Sequence, residues 1–196
     1  MGSGDAPTAS FQAKNALAFA RSLTCSSPPA PGAFCGACKN CRQMGAMQHP
    51  DLNIIEAEQG KDIIKVEQIR DLRKNVLLSP YQAAYRIVLL LRFEEANPSA
   101  ANALLKTLEE APKQVILLLT AKNTEALLPT IVSRCEVIRL HPVSLDKVET
   151  FIRDRGADEE KAKLLAHLSA GRPGYALRLF ENENALQERQ AHLETF

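Results

Sequence analysis

The feature that most restricts what this chain can fold into is an alternation. Short apolar runs rich in Ile, Val and Leu occur at LNIIEAE (Leu52 to Glu58), YRIVLLL (Tyr85 to Leu91), QVILLLTA (Gln114 to Ala121) and EVIRL (Glu136 to Leu140). Between them lie segments whose apolar residues return at helical spacing. Runs of this kind suit strands buried on both faces, which is the situation of strands in a parallel sheet covered by helices. In KVEQIRDLRKNV the apolar set is Val66, Ile69, Leu72 and Val76, and in NPSAANALLKTLEEAP it is Ala101, Leu104, Leu105 and Leu108. Each set lies along one helix face. Asn97 and Pro98 supply a start for the second helix and Pro112 a stop. The fold class expected is α/β with a mostly parallel sheet.

After His141-Pro142 the strand signal disappears. Three helices are expected there, Ser144 to Arg155, Asp158 to Ser169 and one opening near Pro173, with Gly156 and Gly171 placed as C-terminal caps. The chain therefore divides, on this reading, into an α/β domain over residues 1–141 and a small all-helical domain over 142–196. Hydrophobic residues make up 45% of the sequence, enough for a buried core. Lys and Arg together number 24 against 23 Asp and Glu, so no global field draws nucleic acid or a membrane surface. The runs IVLLL and VILLL are far shorter than the roughly 18 residues of a membrane span, and MGSGDAPTAS lacks the parts of a signal peptide. A cytoplasmic protein without membrane contact is expected.

Reduced thiols follow from that compartment, so the five cysteines call for an explanation other than disulfides. Cys25, Cys35, Cys38 and Cys41 form C-x9-C-x2-C-x2-C, with the loop SSPPAPGAF between the first and second. The two-residue gaps let the backbone wrap a tetrahedral ion and the loop returns the first ligand, so a structural zinc site over residues 25–41 is expected. Cys135 stands apart and reads as a small apolar residue at a strand edge.

The cysteine cluster, HPDLNIIEAE, NALLKTLEEAP (Asn102 to Pro112) and LLPTIVSRCEVIRL (Leu127 to Leu140) together resemble the clamp-loader subunits of bacterial DNA polymerase III, which have the AAA+ fold. The resemblance runs from about Ala16 to Leu179. It implies a three-layer α/β/α AAA+ domain with a zinc-binding insertion, a helical lid, and a part in placing the sliding clamp on primed DNA. The partners it implies are the gamma/tau and delta subunits. Two family segments are not found: the first strand with its phosphate-binding loop, since Met1 to Lys14 holds no G-x4-G-K-[ST] and Asp5 follows Gly2-Ser3-Gly4 where a lysine is wanted, and the C-terminal collar.

In family members that hydrolyse ATP, an acidic pair ends the strand equivalent to Arg86–Leu91. Here Leu91, Arg92 and Phe93 occupy those places, and Glu94 and Glu95 come later. Either these two carboxylates are catalytic or they form a solvated acidic pair ahead of a helix; the second is expected. The resemblance thus implies a subunit without autonomous ATPase activity, ATP being bound by its neighbours, while a gamma/tau-type motor lacking its front end is the alternative. Ser133-Arg134-Cys135 matches the family's S-R-C motif, whose arginine reaches the γ-phosphate of a neighbouring subunit's ATP, so Arg134 with Ser133 is the implied catalytic contribution. Read alone, Arg134 is an arginine paired with a carboxylate or with the last carbonyls of the preceding short helix. Thr120 to Asn123 and Gly171-Arg172-Pro173-Gly174 sit at the family's weaker nucleotide-sensing positions.

Overall fold

A computed structural model describes residues 11–57 and 63–182. Contacts divide the chain into two compact units, one ending at Val137 and the other beginning at Ile138.

The first unit is built on three parallel strands, β1 (Leu52–Ile55), β2 (Arg86–Leu90) and β3 (Val115–Leu119), in the order β1-β2-β3. Leu52 pairs with Ile87 and Ile55 with Leu90, while Arg86 pairs with Val115 and Leu90 with Leu119. The helices of this unit are α1 (Phe11–Thr24), α2 (Lys39–Gly45), α3 (Val66–Val76), α4 (Pro98–Glu110) and α5 (Pro129–Val132). Successive side chains of a strand point to opposite faces, and β2 divides its residues accordingly. Val88 and Leu90 join Ile69, Leu72 and Val76 of α3 and Leu104 of α4 in one core. Ile87 and Leu89 face the other way, Leu89 among Ala13 and Leu17 and Ile87 among Ala20 and Met44, which places α1 and α2 on the opposite side. The result is the α/β/α layering expected of the fold.

Local chemistry ends the elements as the sequence suggests. Asn97 Oδ1 accepts the Ala100 N–H at 2.7 Å, satisfying one of the donors that a helix start leaves free. After β2 the chain turns through Arg92, in the left-handed region at φ 50°, into one 3₁₀ turn over Phe93–Glu95. Phe93 is buried, and Thr120 at the end of β3 accepts the Arg92 N–H at 3.0 Å through its hydroxyl. Helix α1 is not among the expected elements. Its buried positions Ala13, Leu17, Ala20 and Thr24 do recur at helical spacing, but alanine and threonine give that face a weak apolar signal.

Glu136–Leu140 was expected to be a strand and is not. Val137, Ile138 and Leu140 are exposed, and no described strand lies alongside them. Apolar β-branched content favours a strand only where a neighbouring ladder accepts its hydrogen bonds. Cys135 accordingly sits at no strand edge; it packs half-buried against the α3/α4 core, and burial pushes its thiol up. Glu58 lies outside the described residues, as do the Gly2 to Asp5 segment searched for a phosphate loop and residues 183–196.

The second unit holds α6 (Leu145–Arg153), α7 (Glu159–Ser169) and α8 (Pro173–Glu181) around Val148, Ile152, Leu165, Ala166 and Leu179. Asp158 caps α7 by accepting the Lys161 N–H at 2.7 Å. At the turn after α7, Gly171 has φ +74° and its carbonyl accepts the Val143 N–H at 2.7 Å. A Cβ there would lie 2.4 Å from the Val143 oxygen, so only glycine allows that approach. Among the described residues no helix is long and apolar enough to cross a membrane.

Candidate functional site

Cys25 follows α1, Cys35 and Cys38 sit on the loop before α2, and Cys41 lies in its first turn. Their sulfur atoms all come within 4.8 Å of one another. A tetrahedron of thiolates about 2.3 Å from a central zinc ion has its sulfurs roughly 3.8 Å apart, so the cluster is close to the size such an ion requires. Backbone amides already point at the sulfurs. Cys35 N–H donates to Cys25 Sγ at 3.4 Å, Cys38 N–H to Cys35 Sγ at 3.3 Å, and Cys41 N–H to Cys38 Sγ at 3.4 Å. The side chain of Ser26 and the Cys41 amide bring the Cys38 thiol down to about 5. Cys41 is fully buried and is pushed up to about 12, first by burial and then by the neighbouring Cys38 sulfur. The cluster thus combines amides that favour a sulfur anion with a buried sulfur whose charge a cation would offset. The four residues could hold a metal ion.

A polar cluster ties this module to the sheet. His49 is buried and its Nδ1 accepts the Asp51 N–H at 3.0 Å, which leaves Nε2 protonated and facing Asn40 Oδ1 at 3.3 Å. Asn40, next to Cys41, donates to the Thr24 carbonyl at 2.8 Å, next to Cys25. Gln82 reaches in from the loop before β2, donating to Asn40 Oδ1 at 2.5 Å and Gln43 Oε1 at 2.9 Å. Asp51 is fully buried and accepts three consecutive backbone N–H groups of that loop, from Tyr81 at 2.6 Å, Gln82 at 2.7 Å and Ala83 at 2.8 Å. Burial pushes its carboxyl up, but the three amides more than offset this and hold it below the ordinary range. In the sequence the His-Pro-Asp phrase served only as a family marker, and nothing local to it signals this role.

At the end of β2 the structure gives the unexpected cation a local partner. Arg92 Nη1 lies 3.4 Å from Glu95 Oε1. The expectation that Glu94 and Glu95 are solvated is corrected: the Glu95 side chain is only 17% exposed, and both carboxylate oxygens of Glu94 are buried without a partner among the described residues. The pair lies in the 3₁₀ turn Phe93–Glu95, ahead of the α4 start at Pro98. Thr120 and Asn123 serve local structure, Asn123 Oδ1 accepting the Ala126 N–H at 2.9 Å.

Arg134 follows α5, whose Ile131 is anchored in the core. Its Nε and Nη2 reach Glu109 Oε1 of α4 at 2.7 and 2.6 Å, and Nη1 donates to the Thr130 carbonyl at 2.9 Å. The side chain keeps 39% of its surface exposed. Ser133 Oγ donates to the same carbonyl at 3.1 Å. An open depression of about 390 Å³ beside it is lined by Thr124, Leu127, Pro129, Val132 and Ser133. Arg134 thus has both partners that reading the residue alone suggests, a carboxylate and a helix-end carbonyl, and remains at the surface.

Comparison with known proteins supplies the rest. A family described as DNA polymerase III, delta subunit, matches residues 5–144. DNA polymerase III subunit delta' of Pseudomonas aeruginosa is 42% identical over 173 residues, covering 85% of this chain and 52% of that protein. Its counterpart from Escherichia coli K12 is 34% identical, over 85% of this chain and 50% of that one. The tau subunit of E. coli K12 is 32% identical, over 80% of this chain and 25% of its own. The chain spans about half the length of the delta' relatives it matches. In structure, the RuvB Holliday junction branch migration motor of Thermotoga maritima superposes with a TM-score of 0.54 at 14% identity, over 72% of this chain and 47% of that one, a likeness of fold alone.

Proposed function

The chain belongs to the DNA polymerase III delta-subunit family, with delta' proteins among its relatives, and from that premise we propose that it is a clamp-loader subunit that hydrolyses no ATP itself. It completes the active site of a neighbour. The observation that carries this reading is a pairing of opposites: where β2 ends, Leu91 and Arg92 stand in place of metal-binding carboxylates, while Arg134 is offered at the surface on a rigid turn. A guanidinium cannot lose its proton under physiological conditions, so it brings a permanent charge to the phosphoryl group in transfer, where such an arginine contributes about 10³ to 10⁵ in rate. Ser133 supports the turn that carries it.

The four cysteines hold a structural zinc ion on this proposal. All four positions of a tetrahedron are taken by protein sulfur, so no ligand site is left for chemistry and the ion contributes folding energy instead. The gamma/tau and delta subunits are the proposed partners, with the sliding clamp and primed DNA met through the assembly in the cytoplasm. The alternative of a gamma/tau-type motor is the weaker one, the tau relative being 32% identical where a delta' relative reaches 42%.

The test is reconstitution of the full-length subunit, wild type or Arg134→Ala, with the nucleotide-binding subunits, followed by DNA-stimulated ATP turnover. Turnover should fall by about 10³-fold or more in the variant. Unchanged turnover would remove the role given to Arg134, and ATP hydrolysis by the purified subunit alone would restore the motor reading.

A further inference from the structure

Glu109 and Glu110 form the last turn of α4, a turn with no basic residue. Carboxylates there oppose the helix dipole. Glu110 is accounted for by Arg73 at 3.2 Å and Lys106 at 3.8 Å. Among the described residues Glu109 has one cationic partner, Arg134, 25 residues away in sequence, and meets it through two nitrogens at once.

The arrangement of those contacts matters more than their number. A guanidinium carries five N–H donors in one plane. The bonds to Glu109 engage Nε and one donor of Nη2, while Nη1 donates to the Thr130 carbonyl at 2.9 Å and to Ser133 Oγ at 3.5 Å. The second donor of Nη2 is left, and the bond from Nη1 to Ser133 Oγ is the longest of the set, so an oxyanion can meet Nη2 directly and Nη1 by displacing a weakly held hydroxyl.

We infer that Glu109 is the positioning residue of Arg134: it grips the guanidinium by its Nε–Nη2 edge and so fixes the direction in which the remaining Nη2 donor is offered to the terminal phosphate of a nucleotide bound by another subunit. The inference rests on the proposed role of Arg134 and adds to it the group that aims the cation. Both partners stand on elements that the core makes stiff, α4 through Leu104 and Leu108 and α5 through Ile131. An unrestrained arginine samples many rotamers, and a misplacement of about 1 Å costs on the order of 10²-fold in rate. Because the pair is about half exposed, its removal should leave the fold intact.

The experiment uses the full-length subunit in the reconstituted assembly, with wild type, Glu109→Ala, Glu109→Gln, Arg134→Ala and the double variant Glu109→Ala/Arg134→Ala. Glu109→Ala should lower kcat by about 10- to 100-fold with an unchanged KM for ATP and an unchanged thermal midpoint. Glu109→Gln, which retains an oxygen acceptor, should recover part of the loss, and the double variant should be no slower than Arg134→Ala alone. If Glu109→Ala turns over ATP at or above the wild-type rate while Arg134→Ala is impaired, the positioning role is refuted and the arginine's role stands. Equal, additive losses in the single and double variants would refute it too. Indifference to Arg134→Ala would instead overturn the parent reading.

Discussion

Replacing Asp51 by Asn changes one oxygen to an NH₂ group without changing size, and it should destabilise the first unit out of proportion to that small edit. In the wild type the carboxylate, with no exposed surface, accepts three backbone N–H groups at 2.6, 2.7 and 2.8 Å. An amide offers one acceptor oxygen. If that oxygen keeps the Gln82 and Ala83 donors, the Tyr81 N–H faces another donor, which costs about 1–3 kcal/mol. The two bonds retained pass from a charged to a neutral acceptor, at about 1 kcal/mol each. The sum is about 3–5 kcal/mol, before counting the Arg86 guanidinium, 3.9 Å away and 10% exposed, which loses the countercharge beside it. Against a total stability of roughly 5–15 kcal/mol this is a large fraction. Urea unfolding of the full-length protein followed by circular dichroism would measure it. A loss under about 1 kcal/mol would mean that the loop over Tyr81 to Ala83 does not depend on its anion, and the role assigned to Asp51 would fail.

The remaining predictions concern the cysteine module, the histidine and the second unit. Cys38→Ser should lower the zinc content of the purified protein from one ion per chain, and chelation should lower the wild-type melting temperature while leaving that of the variant little changed. Burial holds the His49 pKa below its ordinary 6.5, against the opposing pull of Asp51. The unfolded chain therefore binds that proton first, and stability due to His49 is whole above about pH 6.5 and lost as pH falls through the lower folded value. His49→Gln should flatten the stability profile in that range, whereas the depressed Asp51 carboxyl acts with the same sign only below its ordinary 3.8. Gly171→Ala should destabilise the second unit by at least about 1–2 kcal/mol from the left-handed backbone alone, while Ala170→Gly, at φ 48°, should raise its melting temperature. Equal melting temperatures for these two variants would refute the strain assigned to the turn.

Whatever depends on residues close together along the chain was legible in the order of the amino acids. The spacing of Cys35, Cys38 and Cys41 brings three sulfurs together through one loop and one helical turn, and Asn97-Pro98 begins α4 by a bond spanning three residues. The apolar runs of β1 to β3 declared themselves because helices cover the sheet on both faces, so that Asn53 and Arg86 are the polar residues among their fourteen positions. Only the tertiary structure decided the rest. EVIRL has the composition of a strand, yet whether its amides find a ladder depends on which strands lie beside it, and none of those described does. Asp51 meets its amides across 30 residues and Arg134 meets Glu109 across 25. A carboxylate in a sequence gives no sign of which distant donors the packed layers will bring to it, because that follows from how the elements stack around the sheet and not from the order in which they are written.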